Sequence, residues 1–455
     1  MEPILSIIVT SYNIEQYIGE CIDCLIRSGF ENYEIIFVDD GSTDSTIEVI
    51  KKFQIENENV KTVFIGKNTV GGVATAANIG LRHATGKYIA FADGDDCFVP
   101  EIFSKMLGAA QKYNSDIVIC DYQEFYRTDD GESIFREHAH EKIWPELCNR
   151  RFIDLNLEPN LRGDILTLIA VPWRKLYKSS FLREKEIYFP EGDFFFEDNA
   201  FHWFVVTQAS NVSFINEVLY FHRKNRVGQT MGSAGPALIK IFIQHEIIID
   251  FLKKKNLLFT YKINVMLWLF NQICWVHLNI DPKFRSLFFN VVRKNFLLYS
   301  NRDFRYFFAT YRFDIKIIEI WYCLYNNNYT LFNEVMSGVA NRNFIHRFKF
   351  NSSRVGFSQT LLMSASFIKN IITINFTERF IKNKIFRIKN RGTKPDSSIG
   401  VVNIKLDEIN AALRSAEAQI HDLRQEVRER DELMNSYFIV LDHFLRNNPE
   451  KSKEH

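Results

Sequence analysis

A chain of 455 residues, 46% hydrophobic and 24% charged, has the material for two or three packed domains, which excludes a globally disordered protein. The formal net charge of +1 hides an asymmetry: residues 1–230 carry 23 Lys/Arg against 35 Asp/Glu, residues 231–395 carry 25 against 8, and residues 396–455 carry 8 against 12. No apolar stretch reaches the ~18–20 uninterrupted residues that cross a bilayer, and no signal peptide precedes the first strand, so a cytosolic protein with reduced cysteines is expected.

LSIIVTSYN (5–13) is a short apolar run ending in turn chemistry, which predicts a strand buried on both faces. YIGECIDCLIRSG (17–29) has helical spacing and closes on Gly29. Its Cys21 and Cys24 have no second pair to complete a zinc site and read as helix packing. YEIIFVDDGSTDSTIEVIKKF (33–53) reads as strand, acidic turn and helix, with Ser42 and Asp44 as N-cap types. VKTVFIG (60–66) is a strand, GGVATAANIGLRHA (71–84) a small-residue helix, and KYIAFADGDD (87–96) a strand ending in carboxylates. This alternation predicts a mostly parallel, doubly wound α/β sheet. Ligands of such sheets bind outside the carboxyl ends of the strands, where Asp39/Asp40 and Asp93/Asp95/Asp96 fall.

From about 235 to 390 the pattern turns helical, aromatic and basic. LLFTYKINVMLWLFNQICWVHL (257–278), interrupted by Lys262, Asn264, Asn271 and Gln272, reads as a buried helix. Glu378 alone offsets twelve Lys/Arg between residues 341 and 394. In FTERFIKNKIFRIKNR (376–391) the apolar residues gather near one helical face, as in an interfacial helix or a core helix with a basic outer face. RGTKPDSSIG (391–400) is a linker by composition, and from Leu406 to Phe444 apolar residues recur in steps of three and four over six heptads, with Arg430 as an exception. That pattern predicts a coiled coil, with a single helix folded back on the body as the alternative. The expected organisation is a catalytic domain (1–230), a basic aromatic-rich helical domain (231–390), a linker (391–403) and a coiled-coil oligomerisation helix (404–447) that makes a homo-oligomer.

A leaving diphosphate needs a divalent cation, and Mg²⁺ or Mn²⁺ takes oxygen ligands, so carboxylates must converge where a strand ends. Asp93-Gly94-Asp95-Asp96 suits this, although acidic surface turns of the same composition are common. Its company is more specific. SIIVTSYN (6–13), IIFVDDGSTDST (35–46), GGVATAANIG (71–80), GKYIAFADGDD (86–96) and FFFEDNAF (194–201), in that order and spacing, resemble the family 2 glycosyltransferases, which have the GT-A fold. The resemblance covers about residues 4–230.

It implies that Tyr12 lines the nucleotide base and Asp39 hydrogen-bonds it, with Asp40 and Asn13 close by and Asn78 on the donor side. Asp93 would face the ribose or donor sugar and Asp95 would bind the Mg²⁺ or Mn²⁺. Asp198, in the Glu197-Asp198 pair, would be the general base that deprotonates the acceptor hydroxyl in an inverting displacement. Arg223 and His222 stand where the family places residues that help hold the diphosphate. His222 reads either as a metal ligand or as a structural histidine, and Trp173 either as a platform for the acceptor sugar or as a core tryptophan. Two departures from the family's pattern stand out: Ala77 where Arg is usual before Asn78, and Thr10 where Pro is frequent. Arg82, Lys87 or Arg223 would then supply the diphosphate-side charge.

The reading is therefore a metal-dependent inverting glycosyltransferase with a nucleotide-sugar donor, UDP being favoured by the resemblance. It would extend a surface polysaccharide on a lipid-linked glycan acceptor, peripheral at the inner face of the cell membrane. The basic middle region would meet an anionic membrane surface. The rivals are a nucleotidyltransferase, against which stands the missing glycine-rich, lysine-containing opening, and a transferase-fold scaffold that has lost turnover. Nucleic acid is not an expected partner, since no reading module is recognisable.

Overall fold

The computed structural model describes residues 2–29, 31–127, 133–136, 143–224, 235–310 and 315–338. The linker at 391–403, the coiled coil at 404–447 and the basic segment at 376–391 lie outside the described residues.

The chain opens with β1 (Leu5–Ser11), α1 (Ile18–Arg27), β2 (Tyr33–Asp39), α2 (Thr46–Glu56), β3 (Val60–Phe64), α3 (Ala74–His83) and β4 (Tyr88–Asp93). It continues with β5 (Cys97–Phe98), α4 (Ile102–Tyr113), β6 (Ile117–Arg127), β7 (Ser133–Arg136), α5 (Trp144–Arg150), β8 (Phe152–Asp154), α6 (Leu161–Ile165), β9 (Lys175–Lys178), α7 (Ser179–Glu184), α8 (Glu197–Gln208) and β10 (Asn211–Arg223). One sheet results, in the order β3-β2-β1-β4-β9-β6-β10-β5, with β7 beside β6 and β8 beside β10. The β3-β2-β1-β4 half is parallel, as the alternation of strand and helix predicts, while β9 runs antiparallel to both β4 and β6 and makes the sheet mixed. β9 keeps the direction of β8, which already runs against β10 and hence against β6.

Successive side chains of a strand point to opposite faces, and here both faces are covered. Ile7 and Val9 of β1, Ile35 and Phe37 of β2, and Val118 and Cys120 of β6 face the layer made by α1, α2 and α4. Ile8, Ile36, Val38, Ile89, Phe91 and Ile119 face the other side, toward α3 and α8. Cys21 and Cys24 are buried in the first layer, so the Cys-x-x-Cys is helix packing. The start of α2 differs in detail from the N-cap expectation: Asp44 Oδ1 accepts from the Thr46 amide, whereas Ser42 turns toward Asp39.

Past residue 235 the described chain is helical: α9 (Ile241–Lys254), α10 (Leu258–Asn279), α11 (Arg285–Phe296), α12 (Asn301–Thr310), α13 (Ile315–Tyr325) and α14 (Tyr329–Met336). Their apolar residues join the α3–α8 side of the sheet in one continuous core; Phe204 of α8, for example, meets Phe251 of α9 at 4.2 Å between ring centroids. α10 buries Val265, Met266, Leu269, Phe270, Ile273 and Val276 on one face. Among the described residues no helix is long and apolar enough to cross a membrane.

Candidate active site

Strand register gathers the acidic clusters at one sheet edge: Ser11 pairs with Asp39, and Thr10 with Asp93. Asp39 is buried and its carboxylate ties two loops together. Oδ1 accepts from the Ser42 amide at 2.8 Å, and Oδ2 from the Ser11 and Ser42 hydroxyls at 2.8 and 2.6 Å. Asn13, expected near the base, laces the same loops: its Oδ1 accepts from the Thr43 amide at 2.8 Å. Asp40 holds the following loop through the Thr69 amide and hydroxyl and Asn68 Nδ2. Burial raises its pKa, the bonds from Thr69 offset this in part, and the neighbouring Asp39 charge adds to the rise. Tyr12 presents its side chain outward, 42% exposed, beside the exposed Asn13. A ring held above such a laced edge can stack on a planar base.

The Asp93-Gly94-Asp95-Asp96 turn is bound to the end of β10. Tyr220 Oη accepts from the Asp93 amide at 3.1 Å. Asp96 is sealed: its Oδ1 accepts from the Arg223 amide at 2.7 Å and its Oδ2 lies 3.0 Å from His222 Nδ1. Burial by itself would lower the His222 pKa, but the Asp96 charge and hydrogen bond win and the net shift is upward. Ligand atoms of Asp93, Asp96 and His222 fall within 4.8 Å of one another. A set of carboxylates plus one imidazole fits Mg²⁺ or Mn²⁺. Because Asp96 occupies Nδ1, the Nε2 atom of His222 is the one left for a metal, the usual division between ligand and orienting partner. Asp95 is buried in the same turn.

Several expectations are corrected by where the side chains lie. Arg223, expected at the diphosphate, is only 2% exposed; its Nε donates to the Asp95 carbonyl at 2.7 Å, it pairs with Glu20, and it packs over the Tyr17 and Phe125 rings. Its role is to hold the carboxylate turn against β10. Arg82 and Lys87 sit at the opposite sheet edge, the end of α3 and the start of β4, where the Lys87 amide meets Pro3. Neither reaches the site. Ala77 is core, so no cation comes from that position either. Asn78 spends its side chain on the segment before α8: Nδ2 donates to the Phe189 carbonyl and Glu191 Oε1, and Oδ1 accepts from the Phe189 amide.

Glu197 is likewise structural. Its Oε1 accepts from the Ala74 amide at 3.1 Å, at the start of α3. Burial pushes its carboxyl up to about 7, against the pull of these amide bonds. Gly71, at φ +97°, and Gly72 make this contact feasible, because a Cβ on Gly72 would lie 2.2 Å from Oε1. The turn into α8 is strained: Phe196, directly before the acidic pair, is left-handed at φ 68°. Asp198 instead lines an open cavity. Its Oδ1 takes both Asn199 donors at 2.9 Å, and Oδ2 has no hydrogen bond among the described residues. Burial raises the Asp198 pKa, while Asn199 and the charge of Lys175 act the other way.

That cavity measures about 640 Å³ and is shared by Asp93, Trp173, Asp198, His222, the 166–172 loop and one face of α10. Trp173 is 4% exposed and stacks on Tyr220 and His222 at 4.4 and 5.1 Å between centroids, so it is a core residue whose edge reaches the cavity wall. Two contributors escaped the sequence reading. Lys175, next to Trp173 and Arg174, is a buried ammonium whose Nζ donates to the Ile169, Ala170 and Val171 carbonyls at 3.1, 3.0 and 2.6 Å, shaping the loop. The other is the polar face of α10, whose asparagines and glutamine served in the sequence only as breaks in an apolar run. Two tryptophans alternating with them were the available signal.

Comparison with known proteins places this geometry among relatives. Residues 6–184 match the family described as Glycosyl transferase family 2. The uncharacterized glycosyltransferase EpsJ of Bacillus subtilis is 31% identical over 50% of this chain and 62% of its own length. Glycosyltransferase GlyG of Streptococcus pneumoniae is 30% identical over 51% of this chain and 74% of its own. Poly(ribitol-phosphate) beta-N-acetylglucosaminyltransferase TarS of Staphylococcus aureus is 29% identical over 50% of this chain and 37% of its own. The crystal structure of TarS 1-349 with UDP-GlcNAc superposes with a TM-score of 0.60 at 20% identity, covering 75% of this chain and 92% of that one, and so shares the fold.

Proposed function

We propose, from the premise that the chain belongs to glycosyl transferase family 2, that it moves a sugar with inversion from a nucleotide-diphosphate donor to a hydroxyl of a glycan acceptor. The observation that carries this is Asp198 standing, with one oxygen free of hydrogen bonds among the described residues, in the same cavity wall as Asp93 and His222. Asp198 takes the proton of the acceptor hydroxyl as that oxygen attacks the anomeric carbon. The bond from that carbon to the diphosphate oxygen breaks, and the nucleoside diphosphate leaves with the electron pair. Base and leaving group then lie on opposite faces of the sugar, and an α-linked donor gives a β product. Asp93, Asp95 and His222 would hold Mg²⁺ or Mn²⁺, which would neutralise charge on the leaving diphosphate. Asp96 and Arg223 keep that turn in place. Tyr12 would stack on the base, with Asp39 and Asn13 fixing the loop beneath it.

The finer assignments are part of the same proposal. A UDP-sugar donor is favoured because TarS, 29% identical across the catalytic half, is named for N-acetylglucosaminyl transfer and its structure holds UDP-GlcNAc. That protein's poly(ribitol-phosphate) acceptor supports a role in cell-surface polymer synthesis. The excess of Lys/Arg in 231–395 supports attachment to the inner face of the membrane and a lipid-linked acceptor. The heptads from Leu406 to Phe444 support a homo-oligomer. Vesicle flotation with no preference for anionic lipid would remove the membrane part, and an unchanged mass by light scattering after deleting 404–455 would remove the oligomer.

The central test is nucleotide release from UDP-, GDP- and dTDP-sugars with Mn²⁺, comparing wild type with Asp95→Ala and Asp198→Asn. Release from one donor, lost on chelation and in Asp95→Ala, supports the reading and names the donor. Neither release nor metal-dependent UDP binding by calorimetry would turn the reading toward the scaffold alternative.

A further inference from the structure

α10 lies outside the stretch matched to the family, yet it forms a wall of the cavity that holds Asp198. Asn264, Asn271, Gln272 and Trp275 line it on one side of the helix, flanking Trp268, which reaches the cavity from the core where it stacks with His245. None of the three carboxamides has a hydrogen-bond partner among the described residues, so each still offers donors and an acceptor. Asn264 is fitted closely: a Cβ at Gly163 of α6 would lie 2.6 Å from its Nδ2. Trp275 meets the edge of Phe196 at 5.8 Å, and Phe196 stands two residues before Asp198. The aromatic and amide face is thus packed directly against the turn that carries the proposed base.

Amides that donate and accept beside indole rings suit a ring with hydroxyls on its edges and C–H groups on its faces. The charges around the cavity point the same way. Asp93, Glu124, Glu197 and Asp198 line it, and among the described lining residues the only Lys or Arg is Lys224, which is paired with Glu124 at 3.2 Å. On the α10 side of the cavity, away from the turn proposed to hold the metal, a phosphate-bearing unit would meet the Asp198 carboxylate with no unpaired Lys or Arg of the described lining beside it.

We propose that this face of α10 is the acceptor subsite and that it binds an uncharged sugar ring, a reading that rests on the transferase function above. The helical region then selects the acceptor, while the parallel half of the sheet binds the donor.

The test uses the full chain and ligand-observed NMR with neutral gluco-, galacto- and N-acetylglucosamine oligosaccharides, with ribitol phosphate as the charged probe. Calorimetry of UDP with Mn²⁺ runs alongside. Wild type is expected to bind at least one neutral oligosaccharide. Asn271→Ala/Gln272→Ala and Trp275→Ala should each weaken that binding tenfold or more, with UDP affinity changed less than twofold. Equal sugar binding in wild type and variants overturns the proposal. So does a wild type that binds none of the neutral sugars, or binds ribitol phosphate alone. Loss of UDP binding in the variants overturns it too, since the wall would then serve the donor. Sugar binding that depends on α10 in a protein that neither binds UDP nor releases nucleotide from any of the UDP-, GDP- and dTDP-sugars supports the subsite and defeats the transferase reading instead.

Discussion

Glu197 and Gly72 share one space: a methyl group on the glycine would lie 2.2 Å from Oε1 and 2.5 Å from Oε2 of the glutamate. The carboxylate also holds the start of α3 through the Ala74 amide, so it cannot swing away without leaving a buried donor unpaired. Gly72→Ala should therefore push Glu197, and Asp198 with it, off position. Displacing a proposed base by a fraction of an ångström is expected to cost on the order of 10–100-fold in kcat. Overpacking should cost about 1–3 kcal/mol in stability. Gly19→Ala and Gly108→Ala are the controls, since both glycines are in helices with nothing near the added Cβ. Each should gain up to about 1 kcal/mol. Melting curves beside turnover measurements decide it, and a Gly72→Ala enzyme with full kcat would defeat the argument.

Glu197 also predicts how stability varies with pH. Its carboxyl titrates near 4.5 when unperturbed and is raised to about 7 here by burial. The folded protein thus holds this proton more tightly than the unfolded chain, so stability is fully present below about 4.5 and falls as pH rises toward 7. Glu197→Gln keeps the Oε1 acceptor and cannot ionise. Its Tm should therefore change less than that of wild type between pH 5 and 7, the gap widening as pH rises. Parallel Tm curves would show that the glutamate is ionised throughout.

The sequence carried the parallel half of the sheet because its strands are buried on both faces and announce themselves as unbroken apolar runs, LSIIVT and EIIFV among them. It carried the acidic edge because turn chemistry follows each run. It did not carry β9, whose direction depends on which neighbours it finds, or the difference between Glu197 and Asp198. Adjacent acids in a helix N-terminus look alike in sequence; only Gly72 and Ala74, brought in from more than a hundred residues upstream, decide which one is tied down. The same holds for Arg223. A charge beside a histidine reads as a ligand contact until Glu20 and the Asp95 carbonyl claim it.

Arg223 should behave as a structural cation. Removing it leaves the Asp95 carbonyl without its donor inside packed surroundings, while Glu20, part-exposed, keeps its pairing with Arg127; an unpaired buried acceptor costs about 1–3 kcal/mol. Arg223→Gln is expected to lower Tm by several degrees, and the turn carrying Asp93 and Asp95 should bind Mn²⁺ more weakly. A direct diphosphate contact would behave otherwise, with Tm kept and the donor KM raised. Differential scanning calorimetry with Mn²⁺ titration separates the two.

Lys175 links loop shape to the proposed base. Its ammonium is buried and donates to three successive carbonyls, Ile169 to Val171, that line the cavity, and its charge favours the ionised form of Asp198. Lys175→Met keeps much of the side-chain volume but removes both effects. The carbonyls lose their donor, so the loop should loosen and the acceptor KM rise. The Asp198 carboxylate loses a stabilising charge, so its pKa rises further above the ordinary carboxylate range. A base works only when deprotonated; activity therefore climbs as pH passes its pKa, and in Lys175→Met the acidic limb of the kcat/KM profile should move to higher pH. A role confined to packing would lower activity at every pH and leave the limb in place. Measuring the profile in wild type, Lys175→Met and Lys175→Arg distinguishes them, since arginine restores the charge and should return the limb toward its wild-type position even where the loop is imperfectly held.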